Sequence, residues 1–351
     1  MGATHVRAYQ AAAEAGFPCE LVAVADPKES RRCGMLHDVG GNITTGGGES
    51  SRAFDPSRVR AYASAGELIA DREIDLVSIC TLTDSHVPLA RAALEAGKHV
   101  LVEKPVALHA EPIRELNEIA RRAGRICMPA MCMRFWPGWD WLKARIEDRA
   151  YGVCVSATFQ RLTSPPPWSL DFYADGARSG GAIVDLHVHD ADFVRFCFGD
   201  PDAVSSAGRV GDSGAIDHVT TLYRYERGNG PAHVVAEGGW DHAPGFPFTM
   251  RYVAIFERAT ASYDIARGQS SLLLSQDGTC EAVRLDSITG YDGEVRHIVS
   301  AIAAGRTEVD VMLADAIAVM ELLDAERKSA ERRERVPYHG FSTRVARLET
   351  P

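Results

Sequence analysis

A chain of 351 residues is long enough for two domains. Its 46% hydrophobic and 25% charged content is that of an ordinary globular protein, and no apolar run reaches the length of a membrane span. A net charge of -10 argues against a nucleic-acid partner and gives no reason to expect a membrane partner.

The eight cysteines are scattered without a C-x-x-C pair, so reduced, buried thiols in a cytoplasmic protein are expected, with neither zinc nor disulfides. No charged-then-apolar leader opens the sequence, so no export signal is expected. Met1-Gly2 lacks the Ser or Thr of a myristoylation motif, since Val6 stands in its place.

Residues 3–15 have helical spacing, with Val6, Tyr9 and Ala13 on the apolar face and Gly16 as terminator. Residues 21–25 read as a strand closed by Asp26-Pro27. A helix, a strand and an acid in this order form the back half of a dinucleotide-binding unit. In such units the acid accepts hydrogen bonds from the adenosine ribose, although Asp26 also suits a plain turn before Pro27. Gly2 stands where the third glycine of a G-x-G-x-x-G loop belongs. The first strand and the other two glycines are not in the sequence. That strand is central in such folds, so its two neighbours are expected to lack a partner there. The expectation is that Met1 is not the native start and that these residues lie upstream.

The tract 40–51 carries three successive glycines but no Lys-Ser or Lys-Thr, so it is not a P-loop and reads as a mobile surface loop. A short strand at 59–62 and a helix at 65–70 follow, then a buried strand at 74–80. The polar segment 81–86, with Thr81, Thr83 and His86, is placed at the ligand edge of the sheet and is a candidate cofactor contact. A helix at 87–96 capped by Gly97 leads to the apolar run 100–102. That run ends in Glu103-Lys104-Pro105. Proline has no N–H to extend a ladder, so Glu103 and Lys104 sit at a strand's carboxyl end, where open α/β sheets bind ligands. A surface ion pair is the plainer alternative. Alternating strands and helices imply a doubly wound parallel sheet.

Residues 75–79, His86, residues 92–100 and Glu103-Lys104-Pro105 together resemble the Gfo/Idh/MocA oxidoreductases, over nearly the whole chain. The sequence departs from that family in the absent front glycines and at Thr83, near which Pro or Asn is common. The resemblance implies NAD(P)-dependent oxidation or reduction of a sugar, polyol or related hydroxy compound. It also implies an active-site role for Lys104 and a cis bond before Pro105. The resemblance further places the Arg-Phe-x-Pro segment near nicotinamide and substrate, which makes Arg134 a candidate substrate contact; a salt-bridged boundary arginine is the alternative.

A helix at 111–123 and a strand at 126–130 complete the first domain, 1–130, and the second is expected to span 131–351. Trp136, Trp139 and Trp141 suit packing at the boundary better than sugar stacking. Three prolines at 165–167 stiffen a loop that can present Trp168 to a sugar face. Past Gly180-Gly181, an apolar pattern predicts one helix over 182–198. On a helix His187 and His189 point apart, which disfavours a shared metal ion, whereas Asp185 and His189 at i and i+4 share a face. The family's Asp-x-x-x-His pattern maps onto Asp185 and His189, making His189 the acid/base. Alternating segments at 203–210, 217–227, 232–240, 249–257 and 260–266, with a hairpin signal at Gly228-Asn229-Gly230, predict a mainly antiparallel sheet. Asp241, His242 and the 244–248 loop are weaker candidates for the substrate side. Helices are predicted at 291–304 and 314–328, before a polar tail at 332–349.

Alcohol oxidation removes a hydride and a proton. A nicotinamide accepts the first, and an imidazole near neutral pKa suits the second. The expected roles are therefore His189 as acid/base, Lys104 as the cation at the substrate oxygen, Asp185 as the positioning group and Glu103 as the orienter of Lys104. NAD is expected over NADP because Asp26 opposes a 2′-phosphate, with Arg31 and Arg32 near enough to soften that preference. The resemblance also implies a homodimer or homotetramer through the second sheet. The other readings are an elimination or anhydro-sugar reduction with the same first step, and a cofactor-binding regulatory protein on a non-catalytic scaffold.

Overall fold

The computed structural model describes residues 1–35, 52–226, 228, 230–338 and 340. The glycine tract, Asn229 of the hairpin signal and the end of the polar tail lie outside them. In the first half, helix Gly2–Glu14 precedes β1 (Ala23–Ala25), β2 (Arg60–Tyr62), β3 (Leu76–Ile79), β4 (His99–Val102) and β5 (Cys127–Pro129). Helices Ala65–Ala70, His86–Glu95 and Ala110–Ala123 connect the later strands. The sequence sets their limits by ordinary chemistry. Ser64 and Glu67 form a reciprocal capping box at the start of the first of these. Gly124, left-handed at φ 60°, ends the last.

These parallel strands form two separate sheets, β1-β2 and β3-β4-β5. β1 pairs only with β2, and β3 only with β4. No strand among the described residues stands between β1 and β3, the two neighbours expected to lack a partner. β4 is the middle strand, and Val100, Leu101 and Val102 are wholly buried, as a strand covered on both faces must be. Each such side chain contributes about 1.5–3 kcal/mol.

The first helix corrects its sequence reading. Its buried face is His5, Ala8 and Ala12, one position away from the expected Val6, Tyr9 and Ala13. Small side chains let this helix lie close to β3, where a Cβ on Gly2 would stand 3.9 Å from that of Cys80. Tyr9 is at the flank, its hydroxyl 2.8 Å from Ser78 Oγ.

The second half is built on a nine-stranded sheet. In chain order its strands are β6 (Cys154–Leu162), β7 (Ala203–Val210), β8 (Ile216–Arg224), β9 (His233–Gly239), β10 (Thr249–Phe256), β11 (Thr260–Asp264), β12 (Leu272–Gln276), β13 (Thr279–Ala282) and β14 (Val336–Pro337). Their spatial order is β13-β12-β11-β10-β6-β9-β8-β7-β14. Only β6 and β9 run parallel; the other neighbours are antiparallel. β10 shows the alternation: Met250, Tyr252, Ala254 and Phe256 point inward, and Val253 and Ile255 are exposed. The inner face meets Trp139, which is fully buried among Phe159, Phe193 and Tyr252. Trp139 is therefore core, as expected. The helices at the end of the chain tie the halves together. Gly290–Ala303 packs on the first helix, and Leu313–Arg332 bridges β7 and helix Ala110–Ala123. β12, β13 and β14 were not predicted.

Candidate active site

Lys104 leaves the carboxyl end of β4, and the bond to Pro105 is cis. Its ammonium reaches the other half of the molecule. Nζ donates to the main-chain oxygen of Asp185 at 2.6 Å and lies 3.4 Å from Asp185 Oδ1. That main-chain oxygen closes a short helix, Gly181–Asp185. The last carbonyls of a helix have no partner inside it and favour a cation. Lys104 thus joins the two halves at the point where the candidate residues meet.

Gly180 and Gly181 set up that short helix, at φ 79° and 75°. A Cβ on Gly181 would come within 2.8 Å of the Ile216 carbonyl oxygen, so both conformation and space demand glycine. The single helix expected over 182–198 is two, Gly181–Asp185 and Val188–Phe198. The His187 N–H reaches back five residues to the Ala182 oxygen at 2.8 Å. This widened turn is of the π type, which local periodicity does not reveal. The two histidines do point apart. His187 is buried against Glu326, at 2.9 Å, and the Tyr223 hydroxyl, at 3.3 Å. His189 and Asp185 instead line one cleft with Lys104. The Asp185 carboxylate lies toward Lys104, so these groups flank a shared space.

His189 carries an unusual electrostatic load. Its Nδ1 is buried with no hydrogen-bond partner among the described residues. Burial, with Lys104 and Arg161 nearby, holds its pKa well below the ordinary imidazole value. The ring is therefore neutral and able to accept a proton. Arg161, which sequence reasoning missed as a site residue, lines the same cleft. It is buried and paired with Asp190 at 2.8 and 3.1 Å. Asp190 is wholly buried in this pair. An arginine ending a strand gave no signal of its own; only the fold brings it behind His189.

Glu103 does not touch the Lys104 ammonium. One carboxylate oxygen accepts from His5 Nε2 at 2.9 Å, the other from the Lys104 backbone N–H at 3.2 Å. It orients Lys104 through the main chain. His5 also lies 3.7 Å from Glu294, whose carboxyl oxygens are buried without hydrogen-bond partners among the described residues. Burial pushes the Glu294 pKa well above the usual carboxylate range, with Glu103 adding to the rise against the pull of His5. Burial alone would raise Glu103 as well, but the hydrogen bond and charge of His5 reverse it.

The cleft has a volume of about 1380 Å³ and extends back between β1 and β3, lined by residues 21–25 and 74–80. Gly2, Asp26, Thr81, Thr83 and His86 all border it. The first helix opens on it, with the first backbone bonds to the Met1 oxygen coming from Thr4 and His5. Asp26 accepts from the Lys28 N–H at 2.8 Å, and Arg31 stands 3.7 Å from its other oxygen. Arg32 is engaged with the main-chain oxygens of Asp26 and Pro27. His86 is buried with both ring nitrogens against carbonyls, Pro105 at 2.9 Å and Thr81 at 3.0 Å. It ties the 81–86 loop to the Pro105 turn. An acid at one strand end, a helix N-terminus and a lysine at another strand end fit a dinucleotide laid across the sheet.

On the other side of Lys104, the cleft wall is aromatic. Trp168 and Tyr173 meet edge to face at 6.4 Å, and Tyr173 meets Trp240 at 5.6 Å. Phe172 and Phe248 complete the wall. Arg134 requires a correction. It does not line the cleft; its buried guanidinium is bidentate to Asp192 at 2.8 and 2.6 Å and also meets Asp315. It is the salt-bridged boundary arginine, because Asp192 on helix Val188–Phe198 neutralises it.

The fold and cleft define a class: a dinucleotide-type parallel domain joined to a mainly antiparallel domain, with the candidate residues where they meet. The chain belongs to the Gfo/Idh/MocA oxidoreductase family. The family's model for its NAD-binding Rossmann fold matches residues 1–131, and that for its C-terminal domain residues 139–262. It is similar to a trans-1,2-dihydrobenzene-1,2-diol dehydrogenase of Sus scrofa, at 31% identity over 48% of this chain and 50% of that protein. It is also similar to a 1,5-anhydro-D-fructose reductase of Ensifer adhaerens, at 32% identity over 54% of this chain and 62% of that protein. The chain spans about half the length of the first curated relatives it matches. Among solved structures, a levoglucosan dehydrogenase in complex with NADH and levoglucosan superposes with a TM-score of 0.78, at 21% identity, over 96% of both chains. That likeness is one of fold.

Proposed function

We propose that the protein is an NAD-dependent oxidoreductase acting on a CH–OH carbon of a sugar, polyol or related cyclic hydroxy compound. The convergence of Lys104, Asp185 and His189 on one cleft from two separate halves of the chain carries this reading. The names of the relatives, which cover a cyclic dihydrobenzene diol and an anhydro-sugar, support it. A bound nicotinamide dinucleotide supplies the hydride acceptor. Lys104 stabilises negative charge on the substrate oxygen, and the neutral His189 ring takes the hydroxyl proton. Asp185 positions the neighbouring hydroxyl. Arg161, fixed by Asp190, keeps the region positive and so keeps His189 neutral. Trp168 and Tyr173 offer faces to an apolar ring side. Asp26 favours NAD over NADP, because a 2′-phosphate there meets a carboxylate. The division between the two functional units is at 130/131.

A panel of cyclic diols, anhydro-sugars and polyols, read at the nicotinamide absorbance, tests the proposal. Lys104→Ala and His189→Ala should each lower turnover by ~10²–10⁴-fold, the usual size of acid–base assistance, with the fold retained. Parental turnover in both variants, or cofactor binding without turnover on any member of the panel, would sink it. Preference for NADP would overturn the assignment to Asp26 alone.

A further inference from the structure

Outside the cleft, on the outer face of the large sheet, three polar side chains converge: His218 on β8, and Asp241 and His242 just past β9. One ligand atom from each lies within 4.8 Å of the others. His218 Nδ1 is 2.8 Å from Asp241 Oδ1, and His242 Nδ1 is 3.8 Å from the same oxygen. His242 Nδ1 is buried with no hydrogen-bond partner among the described residues, while its ring stacks on Phe246 at 4.1 Å. A proton shared by His218 and Asp241 accounts for the first contact and leaves the second nitrogen unexplained.

We propose that His218 Nδ1, Asp241 Oδ1 and His242 Nδ1 form a binding site for a borderline divalent cation of the zinc type. Two imidazoles and a carboxylate are zinc donors, and bond lengths near 2.0–2.2 Å in a tetrahedron set the donors roughly 3.3 Å apart. The two contacts to Asp241, 2.8 and 3.8 Å, bracket that spacing, and all three donors lie within 4.8 Å of one another, so side-chain adjustment alone completes the site. Its supporting shell is already in place. His218 Nε2 bonds Glu237 Oε1 at 3.0 Å, the carboxylate–histidine arrangement that fixes a metal-binding ring. Arg209 Nε holds the other oxygen of Asp241 at 2.8 Å. The three side chains are 15–26% exposed, which leaves a path for the ion and room for water as a fourth ligand. The site sits at the root of the loop running from Trp240 to Phe248, which belongs to the aromatic cleft wall. The cation would pin that loop. On binding it displaces the proton between His218 and Asp241.

The test is titration of the whole chain with Zn²⁺ alone, followed by calorimetry in buffers of different ionisation heat. One saturable site is expected, with proton release and a raised melting temperature. His242→Ala and Asp241→Asn should each abolish this site. Glu237→Gln, acting through His218, should weaken it by about 10–100-fold. His5, Cys80 and Glu103 form a second, buried candidate group, so His5→Ala is the control and should leave the affinity unchanged. If His242→Ala misfolds by circular dichroism, Asp241→Asn decides. Absence of saturable Zn²⁺ binding overturns the proposal. So does binding that persists in the folded variants, or that is lost in His5→Ala instead.

Discussion

At the scale of the residue, His189 makes the sharpest claim. Its depressed pKa means that the proton acceptor stays ready well below the ordinary value of about 6.5. Turnover in the oxidation direction should therefore remain level as pH falls through 6.5 and drop only further down. A fall centred at 6.5 in the profile of kcat would contradict this. The same shift has a stability sign. Below about 6.5 the unfolded chain binds a proton that the folded ring refuses, so folding stability is lost on acidification. His189→Gln should flatten that limb of a melting-temperature profile. His187 has the opposite sign: burial lowers its pKa, but Glu326 more than reverses this, so its contribution is present at low pH and fades as pH rises. Arg134 offers a separate check. Arg134→Met leaves Asp192 buried without its partner and should cost about 3–5 kcal/mol in denaturant unfolding. A motif singled out Lys104, Asp185 and His189 in the sequence, and the fold brings these three to one cleft. The role of Arg134 was not legible, because its partner lies 58 positions away. Arg161 was not, because its pairing with Asp190 crosses from sheet to helix.

Elements were legible wherever a local rule sets them. The helix at 65–70 and the strand at 203–210 fall where periodicity and caps place them. The helix over 182–198 fails at its widened turn, since Leu186 and His187 both reach the Ala182 oxygen and nothing in the apolar spacing encodes that competition. The first helix slipped by one position for a related reason. Its buried side is made of two alanines and a histidine, which carry less apolar side-chain surface than Val6 and Tyr9 and so mark a face more weakly. Caps give a measurable consequence. Thr289 and Asp292 form a capping box at the start of helix Gly290–Ala303. Thr289→Ala should cost about 1 kcal/mol, read as a lower denaturation midpoint with an unchanged slope. A loss under 0.3 kcal/mol would show that packing against Trp136 and the first helix, not the cap, fixes this terminus.

For the whole molecule, composition and alternation were enough to foresee a parallel half and a mainly antiparallel half. Of the three strands that escaped, β13 is exposed along its length and β14 has two residues, so neither carries an apolar pattern, and the Leu272-Leu273-Leu274 run of β12 does not alternate. The outer face of the large sheet exposes Val155 on β6 and Val253 and Ile255 on the adjacent β10, all about two-fifths exposed. Such exposed apolar side chains on an extended sheet favour self-association, and they lie on the sheet through which the family resemblance implied a dimer or tetramer. Val253→Lys combined with Ile255→Lys should reduce the mass seen in sedimentation while each protomer keeps its circular dichroism. An unchanged mass would place the contact elsewhere. No helix among the described residues is long and apolar enough to cross a membrane.

The position of β4 has a consequence for how Lys104 is held. The strand is bonded on both sides, by β3 and β5, and Val100, Leu101 and Val102 are wholly buried, so the lysine is anchored two residues beyond a rigid rod. Deuterium should enter the amides of that rod far more slowly than those of the exposed β13, and a substitution such as Leu101→Ala should speed its entry and blur the placement of the ammonium, lowering turnover without touching the substrate.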